Sequence, residues 1–205
     1  LYPNSPASAD MRLTMGRAYA KLGEYENAME AFNGALRQAG NDEIKISALL
    51  GLAQSQQALG LYEDAAGSYD SLVRLARSVG KTDTVVEEAV RKALYERAVC
   101  LTRLGDFRGA LQEYDAYLAK TPDSPLTASV WVQQVGLWFR LREYEKAKSV
   151  AQKVLLRFPK TGHAMQAALL TAKIEAAAGD FARAKAALTK VEIIPDHPDT
   201  QEVIY

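Results

Sequence analysis

Five times along this chain of 205 residues one short pattern returns. It reads Lys21-Leu22-Gly23-Glu24-Tyr25-Glu26-Asn27-Ala28, then Ala58-Leu59-Gly60-Leu61-Tyr62-Glu63-Asp64-Ala65, then Arg103-Leu104-Gly105-Asp106-Phe107-Arg108-Gly109-Ala110. Two further copies, Arg140-Leu141-Arg142-Glu143-Tyr144-Glu145-Lys146-Ala147 and Ala177-Ala178-Gly179-Asp180-Phe181-Ala182-Arg183-Ala184, keep the aromatic and the closing alanine. A chain that repeats itself every few tens of residues folds as stacked copies of one small unit, because no copy buries its apolar face alone. The glycine suits a left-handed residue at a helix end, and its acidic neighbour suits the positive N-terminus of the next helix. The aromatic is expected to pack into the hinge, and the alanine to let the two helices approach. Met15, Gly16 and Tyr19 upstream, with Phe32, Ala35 and Leu36 downstream, place an apolar stripe at helical spacing on each of two helices.

Composition agrees with helices. Apolar residues make up 48% but aromatics only 8%, alanine is abundant, and β-branched residues are sparse, which favours side chains that lose little rotamer freedom in a helix. Lys plus Arg equals Asp plus Glu at 25 each. No long-range field therefore draws the chain to nucleic acid or to an anionic membrane. No apolar run approaches the ~18 to 20 residues that span a bilayer, and no charged-then-apolar leader opens the chain. One cysteine, Cys100, excludes an intramolecular disulfide and a cysteine-based zinc site.

Together these residues resemble the tetratricopeptide repeat (TPR). The first unit matches the family pattern at Gly16, Tyr19, Gly23, Tyr25, Ala28, Phe32 and Ala35, and the fourth carries Trp131 at the family's Trp position, with Trp138 in place of the usual Tyr. The resemblance implies an all-α fold, a right-handed α-α superhelical solenoid of about five helix pairs with partial flanking repeats. A single array is expected over 1-205, with repeats near 9-42, 46-79, 91-124, 128-161 and 165-198. Arg142 departs from the glycine of the pattern, so its turn is expected to be altered or to carry about 1 kcal/mol of strain. The turns lie 37, 45, 37 and 37 residues apart, against the family's usual 34. Longer helices or connections absorb the excess. In the longest interval Gly80 can stop a helix, and Thr84 with Glu87 can open the next as a capping box; an extended loop is expected between them.

Punctuation separates the units: Thr121-Pro122-Asp123-Ser124-Pro125, Phe158-Pro159-Lys160-Thr161-Gly162 and Ile194-Pro195-Asp196-His197-Pro198. Proline stops the outgoing helix, and Ser124 or Thr161 can cap the incoming one. Pro3 holds the register of a preceding repeat's closing proline. Residues 1-8 accordingly read as the tail of one repeat and 198-205 as the start of another, so the chain is expected to be a piece of a longer array whose exposed end helices could self-associate. The punctuation and the period near 37 are similar to those of bacterial cell-envelope TPR proteins, and favour the envelope or periplasm over the cytoplasm.

Chemistry is hard to place on this pattern. His163 and His197 sit in inter-repeat segments without a partner nucleophile, and there is no phosphate loop, His-Glu-x-x-His or Cys-x-x-Cys. The neighbours Glu24 and Glu26, Glu87 and Glu88, Glu143 and Glu145 fall at helix starts, where the dipole alone favours them. Cys100 reads as a small buried apolar residue. Tyr25, Tyr62, Phe107, Tyr144 and Phe181 recur at one repeat position and read as core. No catalytic residue, metal or cofactor is expected.

In the resembled family the first helix of each repeat lines a concave groove. Transferred by register, the lining here is Leu13, Arg17 and Lys21; Leu50, Gln54 and Gln57; Lys92, Tyr95, Val99 and Arg103; Val132, Phe139 and Arg140; and Leu169 and Lys173. Few acids besides Asp10 join it, which predicts a basic groove with apolar steps. Such a groove suits an extended or helical segment of a partner protein bearing acidic and apolar residues, with Tyr95 or Phe139 as anchors. The Lys, Asn and Arg clamp with which some relatives hold chaperone tails is absent, since Gln54 and Gly136 stand at its amide positions. The alternative is a structural spacer or self-associating segment with no groove ligand.

Overall fold

The computed structural model describes residues 6–80 and 84–189, which hold ten α-helices and no strand. The chain divides into two compact units, Leu1–Lys120 and Thr121–Tyr205. The first contains α1 (Pro6–Leu22), α2 (Tyr25–Gln38), α3 (Asp42–Ala58), α4 (Tyr62–Val79), α5 (Thr84–Leu104) and α6 (Phe107–Lys120). The second contains α7 (Thr127–Arg140), α8 (Tyr144–Arg157), α9 (Gly162–Ala177) and α10 (Phe181–Thr189). Within each unit the helices pair as hairpins and the hairpins stack on one another, the helix-pair solenoid class that the repeat implies.

The five turns close in one way. Gly23, Gly60, Gly105 and Gly179 have φ between 77° and 82°, and the next amide reaches back to the carbonyl five residues earlier. Glu24 N–H donates to Tyr19, Leu61 to Gln56, Asp106 to Leu101, Glu143 to Trp138 and Asp180 to Glu175, all at 2.9–3.0 Å. These bonds satisfy carbonyls that a helix end otherwise leaves open. The turn at Arg142 is unaltered: this residue takes the left-handed conformation itself, at φ 60°. We expect Arg142→Gly to raise the unfolding free energy by about 1 kcal/mol, since the Cβ penalty is relieved and glycine's extra unfolded-state entropy takes back only part. Urea denaturation should show a higher midpoint at unchanged slope.

Acidic residues after the turn behave by length. Asp106 Oδ1 accepts from Gly109 N–H and Asp180 Oδ1 from Arg183 N–H, each at 2.9 Å. Glu24 and Glu143, one methylene longer, make no such cap. Thr161 caps α9 as expected, its Oγ1 accepting from Ala164 N–H. At α7 the helix starts later than Pro125, and Ser124 Oγ instead accepts from Leu126 N–H in the turn before it.

Extra period length goes into helix rather than loop. Gly80 ends α4 at φ 63° and α5 opens at Thr84, so the extended loop expected there is replaced by helices of 18 and 21 residues. Gly80 and residues 81–83 separate them, the latter three outside the described range. The expectations for Pro3, His197 and 198-205 also fall outside it.

In the first unit a core of Ala9, Leu13, Ala28, Phe32, Ala35, Ile44, Ala48 and Leu52 joins the first three helices. Phe32 is its wedge. A Cβ at Gly16 would stand 2.6 Å from the ring and one at Gly51 2.3 Å, so the two glycines are the flat seats that let α1 and α3 close on it. Tyr69 and Tyr114 take the same repeat position in α4 and α6 and are buried. In the second unit Val135, Ala147, Ala151, Val154, Ala167 and Ile174 form the core.

The hinge aromatics do not behave as core residues. Tyr25, Tyr62, Phe107 and Tyr144 are half-buried, and Phe181 is 72% exposed. As the first residue of its helix, each has no preceding helical turn to cover it. The full wedge position lies seven residues later, at Phe32, Tyr69 and Tyr114.

Candidate functional site

The first helix of each hairpin is reached by reversing the chain twice, so α1, α3 and α5 run parallel within the first unit. Their facing sides enclose a groove of about 750 Å³. Of the residues expected to line it, Leu13, Arg17, Lys21, Leu50, Gln54 and Lys92 do so. A second recess of about 360 Å³ begins at Gln54 and is lined by Gln57, Val99 and Arg103, with Tyr62, Tyr69 and Glu96. Helical periodicity accounts for this: residues three, four and seven apart on parallel helices share a face.

The floor of the groove is apolar, built from Leu13, Ile44, Ile46, Leu50, Val86 and Ala89 around the edge of Phe32. Leu13 is both wall and core, buried to 6% exposure. In the recess the side chains are tied together. The Tyr69 hydroxyl donates to Gln57 Oε1 at 2.9 Å, and Gln57 Nε2 donates to Glu96 Oε2 at 2.9 Å. Burial, and the Glu96 carboxylate beside it, push the Tyr69 hydroxyl well above the usual phenol range, so it is a proton donor to Gln57 at any ordinary pH.

The groove is not uniformly basic. Asp10, Glu43 and Glu88 line it together with Arg17, Lys21 and Lys92, and Glu96 faces the recess with Arg103. Glu43 and Glu88 each stand three residues before the repeat spans expected from 46 and 91, on helices that begin at Asp42 and Thr84. Tyr95 lines neither cavity. Its ring packs edge-on against Tyr114 and Tyr117, at centroid distances of 5.9 and 5.8 Å. It therefore joins α5 to α6 and lies outside both cavity linings.

In the second unit the expected lining residues stand on α7 and α9. Val132 and Phe139 pack against the core cluster, Phe139 with its ring 5.8 Å from that of Tyr144. Leu169 is half-buried, and Arg140 and Lys173 are exposed. Arg140 ends α7 and Lys173 lies in the last half of α9.

Other candidate chemistry resolves into structure. Cys100 is fully buried, and burial with the nearby Glu96 pushes its thiol up to about 11, so it stays protonated and inert. His163 is half-buried in the first turn of α9. Glu143 pairs with Lys146 and Glu145 with Lys148. Among the described residues no group of His, Cys, Asp and Glu is arranged to hold a metal ion, and no helix is long and apolar enough to cross a membrane.

Stacked helix hairpins closed by one repeated left-handed turn, with their first helices lining a groove, define a helical-repeat scaffold. Family models described as tetratricopeptide repeat match residues 9–42 and 50–125, and one described as a tetratricopeptide repeat-like domain matches 107–205. The chain belongs to the tetratricopeptide-repeat family, whose repeats serve generally as protein-interaction scaffolds. Solved structures share the fold. MamA residues 41-end from Desulfovibrio magneticus RS-1 superimposes with a TM-score of 0.71 at 17% identity, over 96% of this chain and 94% of that one. A tetratricopeptide repeat protein from Parabacteroides merdae gives 0.69 at 20% identity, over 89% and 66%. A putative kinesin light chain of nearly identical TPR-like repeats from Podosopora anserina gives 0.68 at 14%, over 98% and 96%. No curated protein sequence matches.

Proposed function

We propose that the chain is a non-catalytic scaffold whose first-unit groove holds a segment of a partner protein. One observation carries this reading. Arg17, Lys21, Lys92 and Arg103 line the groove or its recess and form no ion pair with another described residue, whereas Lys45, Arg74, Arg97, Lys146, Lys148, Arg157 and Arg183 do. Cations without an ion pair also stand away from the groove, at Arg37, Arg91 and Lys153, so what sets these four apart is that they gather beside one apolar floor. Charges held beside an apolar floor and left without a protein partner are available to a ligand. Val132, Phe139, Arg140, Leu169 and Lys173 make a separate candidate surface on the second unit.

The test places a photo-crosslinking residue at Gln54, where groove and recess meet, or at Glu30 on α2 as a control, and exposes each protein to extract of the source cells. A product formed at Gln54 and not at Glu30, and lost in Arg17→Glu/Arg103→Glu, is the expected result. Equal products at both positions, or none, would leave the groove without a ligand and favour the spacer. A product at twice the chain's own mass would assign the contact to self-association, for which Met11, Met15 and Leu22 offer an exposed apolar stripe on α1.

A further inference from the structure

Resting on the reading that the first-unit groove holds a partner segment, we infer that this segment is an amphipathic α-helix of mixed charge, basic along one flank, acidic along the other and apolar between. The ordering of chemistry along the three parallel helices carries this. Counted back from the turn glycines Gly23, Gly60 and Gly105, Glu43 and Glu88 stand in one row, far from the turn. Asp10 and Lys92 share the next row. Leu13 and Leu50 form the middle. Arg17 follows, and Lys21 and Arg103 close the groove beside the turns. The row positions follow from the sequence, and all of these side chains line the groove or its recess.

One edge is thus predominantly acidic, with Lys92 its single exception, the middle is apolar apart from Glu96, whose carboxylate accepts a hydrogen bond from Gln57, and the other edge is basic. None of the seven edge charges forms an ion pair with another described residue, although ion pairs are present elsewhere on the same unit. Attraction within the groove is therefore not what balances them.

A ligand that answers all three rows needs three adjacent faces. An extended strand has two, pointing in opposite directions, whereas a helix turns 100° per residue and can carry an apolar stripe with a charged stripe on either side. Width agrees. Glu88 and Arg103 lie fifteen residues apart on one helix, roughly 22 Å at 1.5 Å per residue. A helix about 10–12 Å across fits between the edges, with the groove's own long side chains reaching inward to its flanks. A ligand of one sign would satisfy one edge and oppose the other.

The test uses four synthetic peptides read by fluorescence anisotropy at low and moderate salt. Three are stapled helices with one leucine face and with flanks of Lys and Glu, Lys only, or Glu only. The fourth has the composition of the first with prolines that forbid a helix. The mixed-flank helix is expected to bind at least tenfold more tightly than the others, with affinity falling as salt rises. In Lys21→Glu/Arg103→Glu, where both edges are acidic, the Lys-only helix should become the tightest. If a single-sign helix or the proline peptide binds wild type as well as the mixed helix does, and Gln54→Trp still blocks it, the inference falls while the groove remains the binding site. Binding indifferent to Gln54→Trp, or no binding by any peptide, removes the inference, and the former also moves the contact off the groove.

Discussion

Replacing Phe32 by alanine should lower the unfolding free energy of the first unit by about 3–5 kcal/mol, the usual cost of removing a buried aromatic that its neighbours cannot replace. The side chain is 1% exposed and touches elements from two hairpins, so its loss weakens the stacking on which a repeat protein depends as well as the local core. The two glycines that seat it make the prediction sharper. In wild type, Gly51→Ala brings a methyl to 2.3 Å from the Phe32 ring. The ring cannot retreat, because Gly16 on the opposite helix is already as close as a glycine allows. Overpacking of this kind costs about 1–3 kcal/mol, more than the roughly 1 kcal/mol that alanine returns as helix propensity. In the Phe32→Ala background the collision is gone, and the same Gly51→Ala should become stabilising by up to about 1 kcal/mol. A double-mutant cycle in urea, followed by circular dichroism, reads this sign change directly. Additive effects would show that the ring is not a wedge between these seats.

The second large effect is expected at Arg97, which joins α4, α5 and α6. Its guanidinium reaches Asp70 Oδ1 at 2.8 Å and Glu113 Oε1 at 2.9 Å, and all three side chains are more than half-buried. Arg97→Met keeps most of the volume but leaves two carboxylates without their shared cation. We expect a loss of about 2–3 kcal/mol at neutral pH, below the 3–5 of a fully buried pair because this cluster keeps some contact with water. The pH dependence follows from Glu113. Burial raises its carboxyl above the usual range, against the pull of Arg97, with Asp70 adding to the rise. A folded-state pKa above the unfolded one means that the folded protein takes up the proton more readily. The cost of the ionised carboxylate is therefore largest above the folded pKa and disappears as pH falls through it. Without Arg97 the opposing pull is lost and that pKa climbs further, so the deficit of the variant against wild type should shrink on acidification from neutral pH. Urea titrations at neutral and mildly acidic pH would measure it, and a deficit that stays constant would show that Glu113 is not the group left unbalanced.

Much of this architecture is legible from local chemistry. The left-handed turn is a requirement on one residue and on a hydrogen bond that spans five, so the recurring octapeptide located all five turns, including the one where Arg142 takes a conformation that glycine holds elsewhere. The groove face was legible for a related reason. Helical periodicity ties residues to a common side, and nine of the ten residues expected on the first-unit groove line the groove or its recess. What escaped were properties set by neighbours. Tyr95 stands in the groove register, yet its ring packs edge-on against Tyr114 and Tyr117 of α6. Phe139 likewise turns into the core beside Tyr144. The acidic edge was missed because Glu43 and Glu88 precede the family's groove positions by about one turn, although Thr84 with Glu87 had already marked the start of α5 and so placed Glu88 inside that helix.

By itself, then, the sequence determined the class of fold, the number and place of the turns, and which side of each first helix faces the groove, since all three follow from conformational preferences and periods acting within a few residues. Tertiary structure decided which aromatics are wedges and which are merely half-covered hinges, and how charge is distributed across the groove. These depend on what stands opposite each side chain, and a side chain's opposite number is set by the stacking of hairpins that are distant in the chain.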